Sequence, residues 1–277
     1  MPEPGGRSED ERCVAFLQWA LPHLGLQWAG YRKVRRQVCR RLRRRLRELE
    51  APDLDAYRDH LAAHPEEWAA LDALTPITIS RFHRDRGVFE RLERDVLPGL
   101  AAAGRRDRDV LRAWSAGCAS GEEPYTLALL WNEALARRFP ALRLEILATD
   151  VEPAMLRRAR AATYGAGSLR ELPEPLRHRG FTPAGAGWRL RAEHRDLVTL
   201  AEHDLRGPAP AGPFDLVLCR NVAFTYLAPA GRRAVLTALT GALRPGGALV
   251  IGLHESLPDP HPGLEPWPGA RAIHRRV

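Results

Sequence analysis

The sequence has almost no lysine and no long hydrophobic segment. Lys33 is the single lysine among 42 lysine and arginine residues, and the formal net charge is +8. A bias towards arginine this strong can arise from a GC-rich genome, so the total charge identifies no partner and only its distribution is informative. Apolar runs fall well short of the roughly 20 residues that a membrane-spanning helix needs. The sequence therefore predicts no direct membrane insertion.

Cysteine is scarce as well. Cys13, Cys39, Cys118 and Cys219 stand far apart, without the close pairs that bind zinc. We therefore predict no metal site and expect free thiols in a reducing compartment. Residues 1–10 lack the charged and apolar regions of a signal peptide, so a cytoplasmic protein is expected.

Apolar spacing divides the 277 residues into two predicted domains. Helical spacing over 11–74 predicts an N-terminal helical, basic domain with its linker over residues 1–82. From residue 83 to 277 strands alternate with helices, which predicts an α/β domain built on a parallel sheet. Residues 163–204 interrupt this alternation, and we expect a small inserted antiparallel β subdomain there, with short strands at 188–191 and 197–200.

A basic helix is predicted over residues 32–47. Val34, Val38, Leu42 and Leu46 recur every four residues, so one narrow stripe packs and most of the remaining surface is arginine. Such a surface is either a solvated face or a docking site for an acidic partner. Because few aromatic residues are interleaved, an acidic protein surface is favoured over nucleic acid.

The most informative segment runs from a strand through a glycine turn into a helix. An apolar run at 110–114 precedes the turn from Gly117 to Gly121, and helical spacing follows from Leu127. The turn lacks the Gly-x-Gly-x-x-Gly pattern of dinucleotide sites. Glu122 and Glu123 at the helix entrance would repel the phosphate that a helix N-terminus otherwise attracts. The segment thus predicts a phosphate-free nucleoside ligand with a cationic end, such as S-adenosylmethionine (SAM).

Two further motifs support this interpretation. Asp150 ends the second strand, where an acid can hold the ribose hydroxyls or cap the following helix. With the glycine turn one strand earlier, ribose binding is favoured. Arg244-Pro245-Gly246-Gly247 forms a tight turn before an apolar strand. Together the three motifs indicate the seven-stranded sheet of SAM-dependent methyltransferases.

These segments resemble the CheR-type chemotaxis receptor methyltransferases of bacteria, which methylate glutamate side chains on receptor helices. The resemblance runs from about residue 13 to the end of the chain. It rests on residues 114–126, 148–150, 214–222 and 243–247, and it is most specific at Gly121-Glu122-Glu123-Pro124-Tyr125. It implies a Rossmann-like seven-stranded sheet, an N-terminal helical domain, an inserted antiparallel subdomain and SAM as the methyl donor.

The resemblance also assigns roles to individual positions. Glu122 would accept a hydrogen bond from the amino group of SAM, and Asp150 would hold the ribose. Asp204 and Leu205 would contact the adenine, although the family has asparagine at position 204. The other cofactor-binding residues that it implies are Gly117, Arg220, Asn221, Thr78, Ser80 and Arg84. Arg84 matches an arginine near the transferring methyl, whereas the family has asparagine and threonine at positions 78 and 80.

The acceptor side departs from the family. Thr225 stands where the family has a tyrosine that points into the site, and Tyr226 follows one place later. His254 lies in a second altered segment, and it and His83 could line the acceptor side. The catalytic candidates are Arg84, Thr225 and Tyr226. Protein-glutamate methylation of a chemoreceptor is the leading hypothesis. The alternatives are a CheR-like methyltransferase retargeted to a small molecule or another peptide, and a non-catalytic module that senses SAM.

Overall fold

Helices fill the first part of the chain, as its apolar spacing predicts. The computed structural model describes residues 8–104 and 109–277. The helices up to residue 77 are α1 (Glu9–His23), α2 (Trp28–Tyr31), α3 (Arg35–Glu48), α4 (Leu54–Ala63) and α5 (Glu67–Ala73). Ser8 and Glu11 form a capping box that fixes the start of α1. Val38 and Leu42 are buried on the predicted stripe of α3, so this helix packs through one narrow face.

A disulfide joins α1 to α3, so the expectation of four free thiols is wrong for one pair. Cys13 and Cys39 are 26 residues apart in sequence and are bonded to each other. Both lie on buried helix faces, at 5% and 6% exposure, so helix packing brings together two cysteines that form no sequence motif. Cys118 and Cys219 are free and buried, which agrees with the expectation for them.

The remainder of the chain alternates helices with strands, and they build a seven-stranded sheet. Its order is β6-β2-β1-β7-β8-β10-β9, and the five strands from β6 to β8 run parallel. A separate three-stranded antiparallel sheet has the order β3-β5-β4. The strands are β1 (Val110–Ala116), β2 (Arg143–Asp150), β3 (Thr163–Tyr164), β4 (Phe181–Ala184), β5 (Gly187–Leu190), β6 (Val198–Glu202), β7 (Phe214–Cys219), β8 (Leu243–Ile251), β9 (Leu264–Trp267) and β10 (Ala270–Arg276). The predicted fold class is confirmed.

Helices connect these strands and cover the sheet. The central strand β7 is buried along its whole length, as expected of a parallel strand with helices on both sides. The helices are α6 (Arg86–Arg91), α7 (Leu97–Gly104), α8 (Glu122–Leu130), α9 (Pro153–Ala161), α10 (Ala166–Leu169), α11 (Glu174–Gly180), α12 (Ala192–Arg195), α13 (Ala223–Tyr226) and α14 (Pro229–Ala242). None of the helices in the described ranges is both long and apolar enough to span a membrane.

Two predicted segments take a different form. The strand expected at 197–200 in the inserted subdomain instead lies in β6, from Val198 onward, at the edge of the main sheet and parallel to β2. The antiparallel insertion is therefore formed by residues 163–190. Arg244-Pro245-Gly246-Gly247 is not a separate turn but an irregular stretch within β8, where Gly246 has φ +78° and the register against β7 shifts.

The structure divides the chain into two compact units. One unit takes the chain up to Ile77 together with Thr225–Gly231, and the other takes Thr78–Phe224 and Arg232–Val277. In the second unit, parallel strands end at one edge of the sheet. Residue 150 ends β2, and residues 117, 204, 221 and 252 come one or two positions after the ends of β1, β6, β7 and β8. The sheet topology therefore gathers most of the predicted site residues.

Candidate active site

The glycine turn after β1 is built so that only glycine fits at its two ends. Gly117 has φ +79°, and an added Cβ would lie 3.0 Å from a methyl of Val222. Gly121 has φ +90°, and its Cβ would lie 2.8 Å from the Tyr125 ring. The backbone amides of Gly117 and Cys118 donate to the Thr149 carbonyl oxygen, at 2.8 and 2.9 Å. The turn is thereby fixed against the end of β2.

Glu122 begins α8 as a buried carboxylate. Its side chain accepts hydrogen bonds from Ser120 Oγ at 2.9 and 3.0 Å and from Ser168 Oγ at 3.3 Å, and the residue is 1% exposed. Within the described ranges no cationic side chain forms an ion pair with it. Burying a carboxylate whose hydrogen bonds come only from hydroxyl groups costs free energy unless a cation pairs with it. The ammonium group of SAM fits this place, and the N-terminus of the nine-residue helix α8 adds a further favourable dipole for the acid.

Asp150 accepts hydrogen bonds from two backbone amides. Oδ1 accepts from the Glu152 amide at 2.9 Å at the start of α9, and Oδ2 accepts from the Ala119 amide at 2.7 Å. Burial raises the pKa of Asp150 above its ordinary value, against these backbone hydrogen bonds. A carboxylate offers about four acceptor sites, so roughly two remain for ribose hydroxyls. The acid ties the glycine turn to α9 and is still able to hold a ribose.

Asp204 is paired with a neighbouring arginine. Arg206 donates to Asp204 from Nε at 2.9 Å and from Nη2 at 2.6 Å, and its backbone amide also donates to the carboxylate. Burial raises the pKa of Asp204, but the hydrogen bonds and charge of Arg206 outweigh it and leave the pKa below the ordinary value. Asp204 is therefore an ionised acceptor, where the family has an amide.

Arg84 lies between two residues with left-handed backbone conformations. His83 has φ 58° and Asp85 has φ 60°, and each such residue costs about 1–3 kcal/mol. Arg84 Nη1 donates to the Ile79 carbonyl oxygen at 3.0 Å, and the His83 amide donates to Thr126 Oγ1 at 3.1 Å. Thr78 and Ser80 precede this turn and are half-buried.

The side chain of Arg220 is buried and is bound to other protein groups. Its side chain is 2% exposed and forms ion pairs with Glu123, at 3.1 Å, and with Asp85, at 2.9 Å. It also donates to the Arg84 carbonyl oxygen at 2.8 Å. Burial raises the pKa of Glu123, against the opposing charge of Arg220 and a hydrogen bond from Ser115. The guanidinium is thus engaged with protein groups, and its predicted contact with the cofactor stays a prediction.

Asn221 is fixed by an acid that the sequence reasoning did not select. Glu255 Oε2 accepts from the Asn221 amide at 2.8 Å and from the Gly252 amide at 2.7 Å, and so joins the ends of β7 and β8. A Cβ at position 252 would lie 2.9 Å from Asn221 Oδ1. Glu255 could have been found as the acid that remains in the altered segment after β8.

Other residues at this edge had little or no sequence signal. Ser120 and Ser168 orient Glu122, and Tyr164 donates to the Ser120 carbonyl oxygen at 2.7 Å. Glu123 could have been found as the second acid of the motif, whereas Ser168 comes from the inserted segment, where no pattern marked it.

The two other catalytic candidates, Thr225 and Tyr226, belong to a different compact unit from the strand-end residues described above. Thr225 and Tyr226 cluster with the helical unit. The Thr225 carbonyl oxygen accepts from Gln27 Nε2 at 2.8 Å, and the Tyr226 ring lies 4.9 Å from the Tyr31 ring. His254 is exposed, and His83 is buried with its ring stacked on Phe89.

Family models match both parts of the chain. Residues 78–269 match the CheR methyltransferase SAM binding domain, and residues 16–75 match the CheR methyltransferase all-alpha domain. The chain belongs to the CheR methyltransferase family. It is a SAM-dependent methyltransferase, and the predicted family, activity and cofactor are confirmed.

Individual relatives are similar over most of the chain. A chemotaxis protein methyltransferase of Listeria monocytogenes is 37% identical over 188 residues, which cover 68% of this chain and 69% of that protein. Chemotaxis protein methyltransferase 1 of Pseudomonas aeruginosa is 36% identical, covering 72% of this chain and 74% of that protein. An uncharacterized 104.1 kDa protein of Rhodobacter capsulatus is 36% identical over 79% of this chain, which spans only 23% of that protein.

Proposed function

We propose that this methyltransferase transfers a methyl group to glutamate carboxylates on the helices of a chemoreceptor. Relatives at 36–37% identity that span most of the chain are chemotaxis protein methyltransferases by name. The observation in this chain that favours an acidic helical acceptor is a row of unpaired arginines on α3. We expect the site residues to bind and align SAM, and the arginine face to bind the acceptor protein.

Each strand-end residue then has a role towards the cofactor. Glu122 would bind the ammonium group, Asp150 the ribose, and Asp204 with Leu205 the adenine. The backbone at Gly117 lets the ligand approach the turn closely. Bound SAM supplies the methyl group for an in-line displacement. Residues proposed to line the transfer position are Thr78, Ser80, Arg84 and Asn221.

The acceptor carboxylate needs orientation rather than deprotonation. Glutamate is ionised at pH 7, so no general base is required. Arg84 can hold such a carboxylate through two parallel N–H donors, which sets its direction of attack. Catalysis then rests on holding the reacting atoms at near-attack distance.

The arginine face of α3 is only partly neutralised by the protein itself. Arg35 pairs with Asp10 at 2.8 Å, Arg43 with Glu9 at 3.3 Å, and Arg45 with Glu67 at 2.6 Å. By contrast, three exposed arginines form no ion pair with any described residue. These are Arg36, Arg40 and Arg47. Their spacing of four and seven residues places them on one face of the helix, which is available to an acidic partner.

The proposal is tested by methyl transfer to a cytoplasmic chemoreceptor fragment, followed through base-labile radioactivity. We expect the wild type to form methyl esters on glutamate. Arg36→Glu/Arg40→Glu should raise the KM for the fragment at least about tenfold at low salt, and salt should reduce the difference. Arg137→Glu/Arg271→Glu, with the same charge change at exposed positions off α3, is the control and should leave this KM near that of the wild type.

Equal KM increases in the two double variants would assign the effect to net charge and remove the docking role of α3. Absence of methyl esters on the fragment would overturn the receptor assignment. Transfer to a small acceptor instead would support the second candidate, a retargeted enzyme. That candidate is favoured by Thr225 in place of the family tyrosine and by the altered segment at His254.

A further inference from the structure

The buried ion network around Arg220 connects two parts of the site that are distant in sequence. One guanidinium reaches Glu123 on α8, Asp85 beside the Arg84 turn, and the carbonyl oxygen of Arg84 itself, at 3.1, 2.9 and 2.8 Å. Its carbon lies 5.0 Å from the centre of the Phe89 ring, which closes another side. Three acceptors and an aromatic ring therefore fix a side chain that is 2% exposed.

The Arg84 turn needs such an anchor. Left-handed residues on both sides of Arg84 persist only where the surroundings hold them. Arg220 holds the turn at the Arg84 carbonyl oxygen and at Asp85. Thr126 Oγ1 holds it at the His83 amide, 3.1 Å away, and donates to the Glu122 carbonyl oxygen at 2.6 Å.

The contacts that hold the Arg84 turn, through Arg220 and through Thr126, both lead back to α8, the helix that carries Glu122. Glu123 and Thr126 lie in the first two turns of α8, next to the acid proposed to bind the ammonium group. Glu123 is 13% exposed and is itself held by Ser115 Oγ at 2.8 Å. The same short stretch of helix therefore sets the position of Glu122 and, through Arg220, that of Arg84.

We propose that Glu123 and Arg220 are a positioning pair that fixes Arg84 relative to the bound cofactor. Both side chains are engaged with protein groups, so the proposal gives them a role through Arg84 and not through a contact with SAM or the acceptor. The proposal rests on the proposed function, since the role of Arg84 towards the acceptor carboxylate is part of it. The role proposed for this pair differs from that of Glu122 and Asp150, whose loss would weaken cofactor binding directly.

Arg220→Lys and Glu123→Gln test this role. Lysine keeps the charge but cannot reach three acceptors with a planar fork. We expect kcat for methyl transfer to fall by roughly 10- to 100-fold, because a small misplacement of an orienting group has an effect of that size. Affinity for S-adenosylhomocysteine should stay within about twofold of the wild type. Arg244→Lys, which alters the 3.4 Å pair between Arg244 on β8 and Asp215 on β7, is the control and should keep the wild-type kcat.

A cycle with Arg84→Lys distinguishes positioning from a general structural role. In the Arg84→Lys background, Arg220→Lys should lower kcat by less than about twofold, because its effect passes through Arg84. An equal fall in kcat in both backgrounds would overturn the proposal. A loss of S-adenosylhomocysteine affinity in step with kcat would also overturn it, since Arg220 would then serve the cofactor. If Arg220→Lys does not fold, the same cycle with Glu123→Gln distinguishes the positioning role from a general structural role.

Amide hydrogen exchange tests the positioning role without depending on which acceptor is methylated. Exchange over residues 82–86 should be faster in Arg220→Lys than in the wild type and unchanged in Arg244→Lys. Faster exchange in Arg220→Lys, together with a wild type that methylates no receptor fragment, would retain the anchor and reject only the proposed function. Unchanged exchange in Arg220→Lys would reject the anchor.

Discussion

The residues proposed to bind the cofactor and the residues proposed for the acceptor side are held in different ways. Glu122 and Asp150 lie at the ends of neighbouring parallel strands, and their partners are backbone amides and hydroxyls within the same unit. Thr225 and Tyr226 belong to a segment that clusters with the helical unit, where Gln27 donates hydrogen bonds to both of their carbonyl oxygens. The contacts of Glu122 and Asp150 arise within the sheet-containing unit, whereas Thr225 depends on Gln27, which lies 198 residues away in the sequence.

Among the variants that test this difference, we expect the largest effect, a loss of cofactor affinity, from a substitution of Asp150. Asp150→Asn should weaken S-adenosylhomocysteine binding by about 1.5–3 kcal/mol, because a charge-assisted acceptor is lost. Thr225→Val, on the acceptor side, should alter methyl transfer and leave this affinity within about twofold. Calorimetric titration measures both variants, with Glu145→Gln on the exposed face of β2 as the control.

A fall in cofactor affinity for Thr225→Val as large as that for Asp150→Asn would break the comparison. An unchanged affinity for Asp150→Asn would remove the ribose assignment.

A smaller effect is expected at the anchor of the acceptor-side segment. A Cβ on Gly30 would lie 2.3 Å from the Thr225 carbonyl oxygen. Gly30→Ala should therefore destabilise the protein by about 1–3 kcal/mol, since an overpacked site must shift backbone. Thermal unfolding measures the loss, and S-adenosylhomocysteine affinity below the transition should not change.

Gly241→Ala, on the exposed side of α14, is the control because nothing lies within 4 Å of its added Cβ. It should be neutral or slightly stabilising. Equal unfolding temperatures for Gly30→Ala and Gly241→Ala would show that residue 30 does not hold the segment.

The fold around the proposed cofactor residues could be predicted because its signals are local. A strand, a glycine turn and an acidic helix entrance lie within about a dozen residues, and Asp150 ends the next strand. Parallel strands then bring these positions to one edge without further information. The family resemblance added Arg84, which no local pattern relates to the glycine turn.

Other features depended on contacts that no local pattern encodes. Gln27 and Thr225 are 198 residues apart, and Cys13 meets Cys39 only through helix packing. Residues 197–200 have a strand pattern that fits an antiparallel hairpin as well as a parallel edge strand, so their place beside β2 could not be chosen from sequence. The position of Arg220 after β7 likewise did not reveal the three acceptors that its buried side chain contacts.

The most direct test of the cofactor assignment is whether Glu122 binds the amino group of the ligand. Calorimetry would compare S-adenosylhomocysteine with an analogue that lacks this amino group, in the wild type and in Glu122→Gln. We predict that removing the amino group weakens binding to the wild type by about tenfold or more, as expected for a charge-assisted hydrogen bond, and to Glu122→Gln by less than about twofold. The same loss in both proteins would contradict the assignment of the buried carboxylate to the cationic end of the cofactor.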